Sequence, residues 1–466
     1  MSGEPDQNAT RYYFVSDLHI GGDETLQEVE FMDEFLAFLR ELPERDEDAE
    51  LIINGDLFGL WEFTELEGME KFDALLELYP ELFEQLRATG EQVPTTVIPG
   101  NHDYELACHP QFVERLAEYN VSLEQEVVIT REVADRVVWI EHGQQRDPNN
   151  RSPDFGNPYA NPPGYHVNRH VTSKAGRLSK RGRFNWLKDI QSVTPMTRIP
   201  DWMISQYFYR EMSPLLRYTA VPFLLLFQVS LLYLLAVALD VLGVWSLPAE
   251  AVSFVLTRLS IVGTLIDLVL VVNVVVIAIL AFLAIPAFFL ARDVRKTLTR
   301  FGLVGGDDPE DVSDRYVDVA RAVFDEHPEV AVFLYGHTHR ASVTEVADRV
   351  VVNTGTWLRR LHRRSVVLGL LPDVFYPSYR LNYVCISEAD GDVVVEYETV
   401  QKPNPDDLSL LERLLTPLAT PQESIPPRTI VDSGDGPWRP ESERPTDDRI
   451  GSDVDVDGTR DAGRGR

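Results

Sequence analysis

The chain has 466 residues, 44% of them hydrophobic, which is enough to bury at least one sizeable core and excludes an intrinsically disordered protein. Its formal net charge of −31 repels nucleic-acid phosphates, and with no nucleic-acid module apparent, no nucleic-acid partner is expected. The two cysteines, Cys108 and Cys385, are too few for a disulfide framework or a cysteine zinc site and suit a reducing compartment.

The basic residues are 6 Lys against 37 Arg, facing 74 Asp and Glu. That balance fits adaptation to high salt, where surface carboxylates keep a protein hydrated, or an ordinary acidic protein from a GC-rich genome. Residues 1–10 are polar and acidic, and nothing there reads as a secretory signal.

In chain order, apolar runs alternate with helical patterns. Strands are expected at 12–16, 50–54 and 95–99, with helices around 28–40 and 71–88 between them. Further strands follow at 137–141, 330–335 and 349–353, and a hairpin pairs 382–387 with 392–399 across Asp390-Gly391. This is the order of a layered α/β domain, whose active sites form where loops leave the carboxyl ends of strands.

The stretch between 141 and 330 is too long for a loop inside one domain and is read as an insertion. It opens with a Pro-, Asn- and Gly-rich loop, and residues 169–217 then carry ten Lys or Arg against three acids, a local charge of +7. Two apolar segments follow, 219–245 and 268–290, each long enough to span a bilayer. Residues 246–267 between them are mixed, and fit a loop, an interfacial helix or an extension of the second span. Because strands on both sides of the insertion must join one sheet, the chain has to cross an even number of times. Arg198, Arg210 and Arg217 before the pair, and Arg292, Arg295, Lys296 and Arg300 after it, put both halves of the domain on the cytoplasmic side of the cell membrane.

The expected organisation is therefore a catalytic domain in two parts, 1–145 and 292–403, interrupted by a basic loop or cap at 146–218 and a transmembrane hairpin at 219–291. An acidic, Pro-rich disordered tail at 404–466 follows.

Five segments place metal-ligating side chains directly after expected strands: Asp17-Leu18-His19, Gly55-Asp56, Gly100-Asn101-His102-Asp103, His142-Gly143 and Gly336-His337-Thr338-His339. Carboxylate, imidazole and amide donors in one set suit first-row divalent metals such as manganese, iron or zinc, whereas calcium takes oxygen alone. Two such ions close together need a bridging group, and the carboxylate of Asp56 is the choice here.

The ordered set DLH, GD, GNHD, HG, GHTH resembles the calcineurin-like metallophosphoesterase superfamily over residues 12–141 and 330–400. The resemblance implies a four-layer α/β/β/α sandwich with two mixed sheets. It implies a first metal held by Asp17, His19, Asp56 and His339, and a second held by Asp56, Asn101, His142 and His337, with manganese favoured. It also implies hydrolysis of a phosphoester or pyrophosphate bond by a metal-bound hydroxide, with His102 contacting the phosphoryl group and protonating the leaving oxygen, and Asp103 orienting its ring.

The family often has GDxxD, and here the second carboxylate is missing. The run Gly55-Asp56-Leu57-Phe58-Gly59-Leu60-Trp61 is instead similar to that of UDP-2,3-diacylglucosamine pyrophosphatases, although those usually carry Arg where this chain has His102. Around the site, Arg146, Asp147, Asn149 and Asn150 are close enough in sequence to support the ligands, or simply form a turn. His166, His170 and Arg340 are candidate phosphate contacts or ordinary surface residues. The expected substrate is a phosphoester, with lipid-linked compounds as candidates, and membrane lipid is the expected partner. A soluble nucleotide phosphodiesterase and a non-catalytic membrane scaffold are the alternatives.

Overall fold

In the computed structural model, residues 10–45, 48–174, 187–193, 198–244, 254, 257–258, 260–300, 309–366, 371–404, 408–415 and 425–431 are described. The basic residues at 177, 180, 181 and 183 lie outside them.

The strands are β1 (Arg11–Val15), β2 (Ala49–Asn54), β3 (Thr95–Ile98), β4 (Val121–Leu123), β5 (Val128–Val133), β6 (Arg136–Glu141), β7 (Val330–Tyr335), β8 (Ser342–Val346), β9 (Arg349–Asn353), β10 (Arg360–Val366), β11 (Leu371–Ser378), β12 (Leu381–Ala389), β13 (Asp392–Val400) and β14 (Arg428–Val431). One sheet has seven strands in the order β14-β13-β12-β1-β2-β3-β4, a second has five in the order β5-β6-β7-β9-β8, and β10 pairs with β11 alone. Both large sheets are mixed: β1, β2, β3 and β4 run parallel while β12, β13 and β14 pair antiparallel, and β6, β7 and β9 run parallel beside antiparallel β5 and β8.

Alternation along each strand assigns its two faces. Phe14, Ile52, Ile98, Val384 and Ile386 of the large sheet pack against Ile140, Val332, Leu334 and Val352 of the smaller one, so the sheets stack face to face. On the outer side of the large sheet, Val15, Leu51 and Ile53 meet Phe35, Leu39 and Leu42, a stripe at helical spacing on Met32–Arg45. On the outer side of the smaller sheet, Phe333 and Tyr335 meet Tyr316, Ala320 and Phe324 of Pro309–Glu326. The order of layers is thus α/β/β/α.

Two details differ from the sequence expectation, and one that it left open is decided. The helical stretch around 71–88 is two helices, Met69–Leu78 and Pro80–Gly90, because Pro80 lacks the N–H that a continuous helix would use and instead opens the second one. The tail expected to be disordered from 404 contains a helix, Leu410–Leu415, and strand β14, whose Val431 pairs with Val393 at the sheet edge. Four residues are too few to show periodicity, and only the waiting edge of β13 orders them. The mixed stretch 246–267 is, from Ser260, an extension of the second apolar segment, which forms one helix, Ser260–Arg300, broken by nothing despite Pro286.

That helix and Pro214–Val241 pack together as a hairpin, with Asn273 Nδ2 donating to Ser230 Oγ at 2.9 Å in its interior. Among the described residues one window, Ser260–Ile279, is long and apolar enough to cross a membrane, judged by length and composition. The insertion leaves and re-enters between neighbours: β6 and β7 are adjacent and parallel, with Trp139 opposite Phe333.

Candidate metal centre

Every motif sits at the carboxyl end of a parallel strand. β1 delivers Asp17 and His19, β2 Asp56, β3 Asn101 and His102, β6 His142, and β7 His337 and His339. Because β1, β2 and β3 are parallel in one sheet, β6 and β7 are parallel in the other, and the sheets stack, their carboxyl ends share one edge. Turning each loop back over that edge requires unusual backbone: Asp17, His19, Asp56, His337 and His339 all have φ between 47° and 64°. This left-handed region is costly for residues with a Cβ, and five such residues at one edge mark a site rather than ordinary turns.

Two of the motif glycines have a steric reason. A Cβ on Gly100 would lie 2.2 Å from Asp56 Oδ1, and one on Gly55, itself at φ 79°, would lie 2.3 Å from His142 Nδ1. Both let one loop touch the ligand of another. We expect Gly100→Ala to displace Asp56 and reduce bound metal, counted by elemental analysis of purified protein, to less than half of wild type while the chain still folds.

The donor atoms converge. Asp17, His19 and His339 form one cluster and Asp56, His142 and His337 a second, with a third of His19, Asp56 and His102 joining them through Asp56. His339 Nε2 lies 3.2 Å from Asp17 Oδ1 and 3.1 Å from His19 Nε2, while Asp56 Oδ2 lies 3.1 Å from His142 Nε2 and 3.6 Å from His19 Nε2. Asn101 Oδ1 and His337 Nδ1 are 2.8 Å apart.

Hydrogen bonds made on the far side of each ring decide what faces inward. His142 Nδ1 donates to the Asn54 carbonyl at 2.8 Å, which leaves Nε2 as the lone pair turned to Asp56. His337 Nε2 donates to Asp147 at 3.1 Å, leaving Nδ1 beside Asn101. Asp17 Oδ1, Asp56 Oδ2 and His142 Nε2 are buried with no hydrogen-bond partner of proper geometry among the described residues. Lone pairs facing one another at about 3 Å in a buried site call for a proton or a cation between them, and this donor set fits divalent ions.

The ionisation pattern says the same. Burial alone would raise Asp17 and Asp56, yet the imidazoles around them hold both well below the usual carboxylate range. Burial would lower His142, but Asp56 and then Asp17 outweigh it and push the ring up to about 10. Without a cation the site therefore holds a proton on His142 at neutral pH, and a cation must displace it. We expect metal binding at pH 8 to release about one proton, read from calorimetry in buffers of different ionisation enthalpy, and affinity to rise with pH towards about 10.

His102 stands over this edge with its backbone N–H donating to Asp56 Oδ1 at 2.7 Å. The expectation that Asp103 orients its ring is not met. Asp103 points away, into the loop core, where it accepts from the backbone of Gly100 at 2.6 Å and of Asp56 and Phe58 at 3.3 Å. It braces the loops that carry Asp56 and Asn101. The ring of His102 is held by a residue the sequence did not single out, Glu62, whose Oε1 accepts from Nδ1 at 2.8 Å. Glu62 is 3% exposed, and the same oxygen accepts from Asn168 Nδ2 at 3.2 Å. Glu62 lies six residues after Asp56, on a short turn, Leu60–Glu62, where no spacing rule would reveal it.

The insertion reaches the site. Besides Asn168 and Asp147, Tyr165 packs edge-on against Trp61, whose ring lies 4.7 Å from that of His102. Asn149 and Asn150 serve Asp147, and Arg146 pairs with Glu141. His166 and His170 are exposed and stack on each other, and Arg340 is half-buried. Beside Asn101 opens a pocket of about 370 Å³, mouth included, between Trp61, Tyr104, Gln144 and Phe155.

The family model for calcineurin-like phosphoesterases matches residues 10–223. That span holds β1 to β6 and six of the motif residues' eight ligating or overlying side chains, but stops short of β7, whose His337 and His339 the fold returns to the same edge. A comparison with curated proteins gives no match. The sandwich, the paired Asp/His clusters and the matched model agree in supporting the calcineurin-like phosphoesterase superfamily for this chain.

Proposed function

We propose that this protein is a membrane-anchored, dinuclear metal-dependent hydrolase of a phosphoester or pyrophosphate bond. The observation that carries the reading is the convergence of buried, unpartnered acceptors from Asp17, Asp56 and His142 with the nitrogens of His19, His337 and His339 at one edge. Asp17, His19, Asp56 and His339 would hold one ion, and Asp56, Asn101, His142 and His337 the other, with manganese the first choice and iron or zinc the alternatives. Bound there, the pair supplies an activated water nucleophile and neutralises charge on the phosphoryl oxygens. His102, charged and held by Glu62, hydrogen-bonds the phosphoryl group and gives its proton to the leaving oxygen. Asp103 keeps the Gly100 and Asp56 loops in register.

Membrane anchoring is supported by the helix pair Pro214–Val241 and Ser260–Arg300, which presents Leu232, Leu235, Val275 and Phe282 outward. In water this would be a large exposed apolar surface. Both ends of the hairpin return to the catalytic domain, so the site lies on one side, with the flanking Arg and Lys favouring the cytoplasmic face. A substrate in or near the headgroup layer, such as a lipid-linked pyrophosphate, suits that position.

The test is hydrolysis by metal-stripped protein reloaded with manganese, measured on bis-p-nitrophenyl phosphate, p-nitrophenyl phosphate and a lipid-linked pyrophosphate. Turnover restored by metal on at least one of them is expected, and inactivity on all three sinks the catalytic reading. Retention in membranes after an alkaline wash is expected as well, and release into the soluble fraction without detergent would overturn the anchoring.

A further inference from the structure

Just before the apolar hairpin, the helix Ile199–Gln206 and its wider continuation Tyr207–Glu211 lie across the surface of the catalytic domain. The segment is two-sided. Trp202, Phe208 and Tyr209 are no more than 4% exposed, while Met203, Ile204 and Tyr207, one helical face at i, i+1 and i+4, are each between 43% and 57% exposed. The buried side is pinned to the hairpin of β10 and β11: Phe208 and Tyr209 cluster with Leu371 and Val374, Trp202 with Phe375, and the Tyr209 hydroxyl donates to the Pro372 carbonyl at 2.7 Å. The segment is therefore rigidly part of the domain, and its outward apolar face is not a frayed end.

The face continues directly into Leu215, Leu216 and Tyr218, which are also exposed, at the start of Pro214–Val241. The register of the hairpin shows where this junction lies. With Ser230 bonded to Asn273, counting sixteen residues down each helix puts Pro214 level with Phe289. Immediately beyond Phe289 come Arg292, Arg295, Lys296 and Arg300, the first basic residues after the long apolar run. The apolar pair so defined is about 42 Å long at about 1.5 Å per residue, against about 30 Å for a hydrocarbon core, which places Pro214 and the segment before it in the headgroup layer.

We propose that the face made by Met203, Ile204 and Tyr207 is an interfacial docking surface that lies in the plane of the lipid bilayer and fixes the orientation of the catalytic domain on it. The inference rests on the membrane reading above and adds to it. A hairpin alone leaves the domain free to swivel, whereas a third contact in the membrane plane, braced on β11, holds the metal edge at one height and tilt. Attachment here is apolar in character: within 198–217, Arg198, Arg210 and Arg217 face Asp201 and Glu211, so charge adds little, and Tyr207 has the amphipathic ring that favours the boundary between headgroups and chains.

The test uses the full chain with Cys108→Ser, reconstituted in phosphatidylcholine vesicles, carrying a fluorophore on Ile204→Cys in one sample and on Val275→Cys, in the second helix and halfway along the apolar pair, in another. Vesicles contain lipids with a nitroxide at a shallow or a deep acyl carbon. Quenching of the Ile204 probe by the shallow label, and of the Val275 probe by the deep one, is the expected result. A quenched Val275 probe beside an unquenched Ile204 probe overturns the docking surface and leaves the anchor standing. If neither is quenched, the membrane reading falls and takes this inference with it. Efficient bismaleimide cross-linking of Ile204→Cys between two chains also overturns it, since the face would then be covered by a second copy.

Discussion

Replacing Asp56 with asparagine is expected to lower kcat/KM at least about 10³-fold, some four kcal/mol of transition-state stabilisation, with no loss of folded protein. Among the described residues Asp56 belongs to the second cluster and to the third, which shares His19 with the first, and its Oδ2 faces both His142 and His19. An amide offers one weak, neutral oxygen where two cations need a shared anion, so the second ion should be bound far more weakly. The fold should tolerate the change for two reasons: asparagine accepts the left-handed backbone that Asp56 adopts at φ 53°, and its oxygen can still accept from the His102 N–H. Losing the charge costs the attraction of the surrounding imidazoles but also relieves Asp103, which burial and then the Asp56 charge push up to about 7. Metal content, turnover and thermal unfolding of metal-free protein together check the prediction. A variant that keeps two ions and full activity would remove Asp56 from the bridging position.

Glu62→Gln should produce the next largest effect, and one with a signature. Burial disfavours the charged form of His102, but the Glu62 carboxylate, with Asp56 and Asp103 behind it, outweighs burial and raises the ring to about 9. Glu62 itself is kept ionised: burial would raise it, and His102 brings it down. Glutamine preserves an oxygen for His102 Nδ1 and for Asn168 while removing the charge. In the proposed reaction His102 must be protonated to act as the proton donor, so activity should fall as pH rises through its pKa. Taking away the carboxylate lowers that pKa, and the alkaline limb of the kcat profile should move to lower pH. Cations held by the neighbouring clusters would lower the starting value, but not change the direction of the shift. For esters with alkyl leaving groups, which depart only with a proton, a loss of about 10²-fold is expected at pH 8, against little change for p-nitrophenyl esters. Equal losses on both substrate types, with an unmoved profile, would show Glu62 to be a structural support only.

How much of this could be read from the chain alone differs from feature to feature. Asp17, Asp56, His142 and His337 were visible because each follows an apolar run, and a strand end is where an α/β fold exposes side chains. Glu62 and Asn168 were not, because they act on His102 across gaps of 40 and 66 residues, Asn168 through Glu62, from a short turn and from the insertion. Asp103 was misjudged for a related reason. Adjacency to His102 suggested a ring partner, but on this turn its side chain leaves in the opposite direction, towards Gly100. β14 was missed because a four-residue strand acquires its order from an edge elsewhere in the fold.

The hairpin divides in the same way. Composition alone marked the two apolar stretches, since hydropathy is a local property. The position of Met203, Ile204 and Tyr207 on one outward face depends on Trp202, Phe208 and Tyr209 being claimed by β11, and no local pattern in an eight-residue helix could declare it. By itself, then, the sequence determined the ligand types, their order along the chain and the existence of an apolar insertion. Only the tertiary structure decided which carboxylate holds His102, which nitrogen of His142 and of His337 faces the Asp/His clusters, and which face of the segment before the hairpin is left exposed. Those are relations between residues distant along the chain, set by which backbone groups and surfaces meet when the two sheets close on each other.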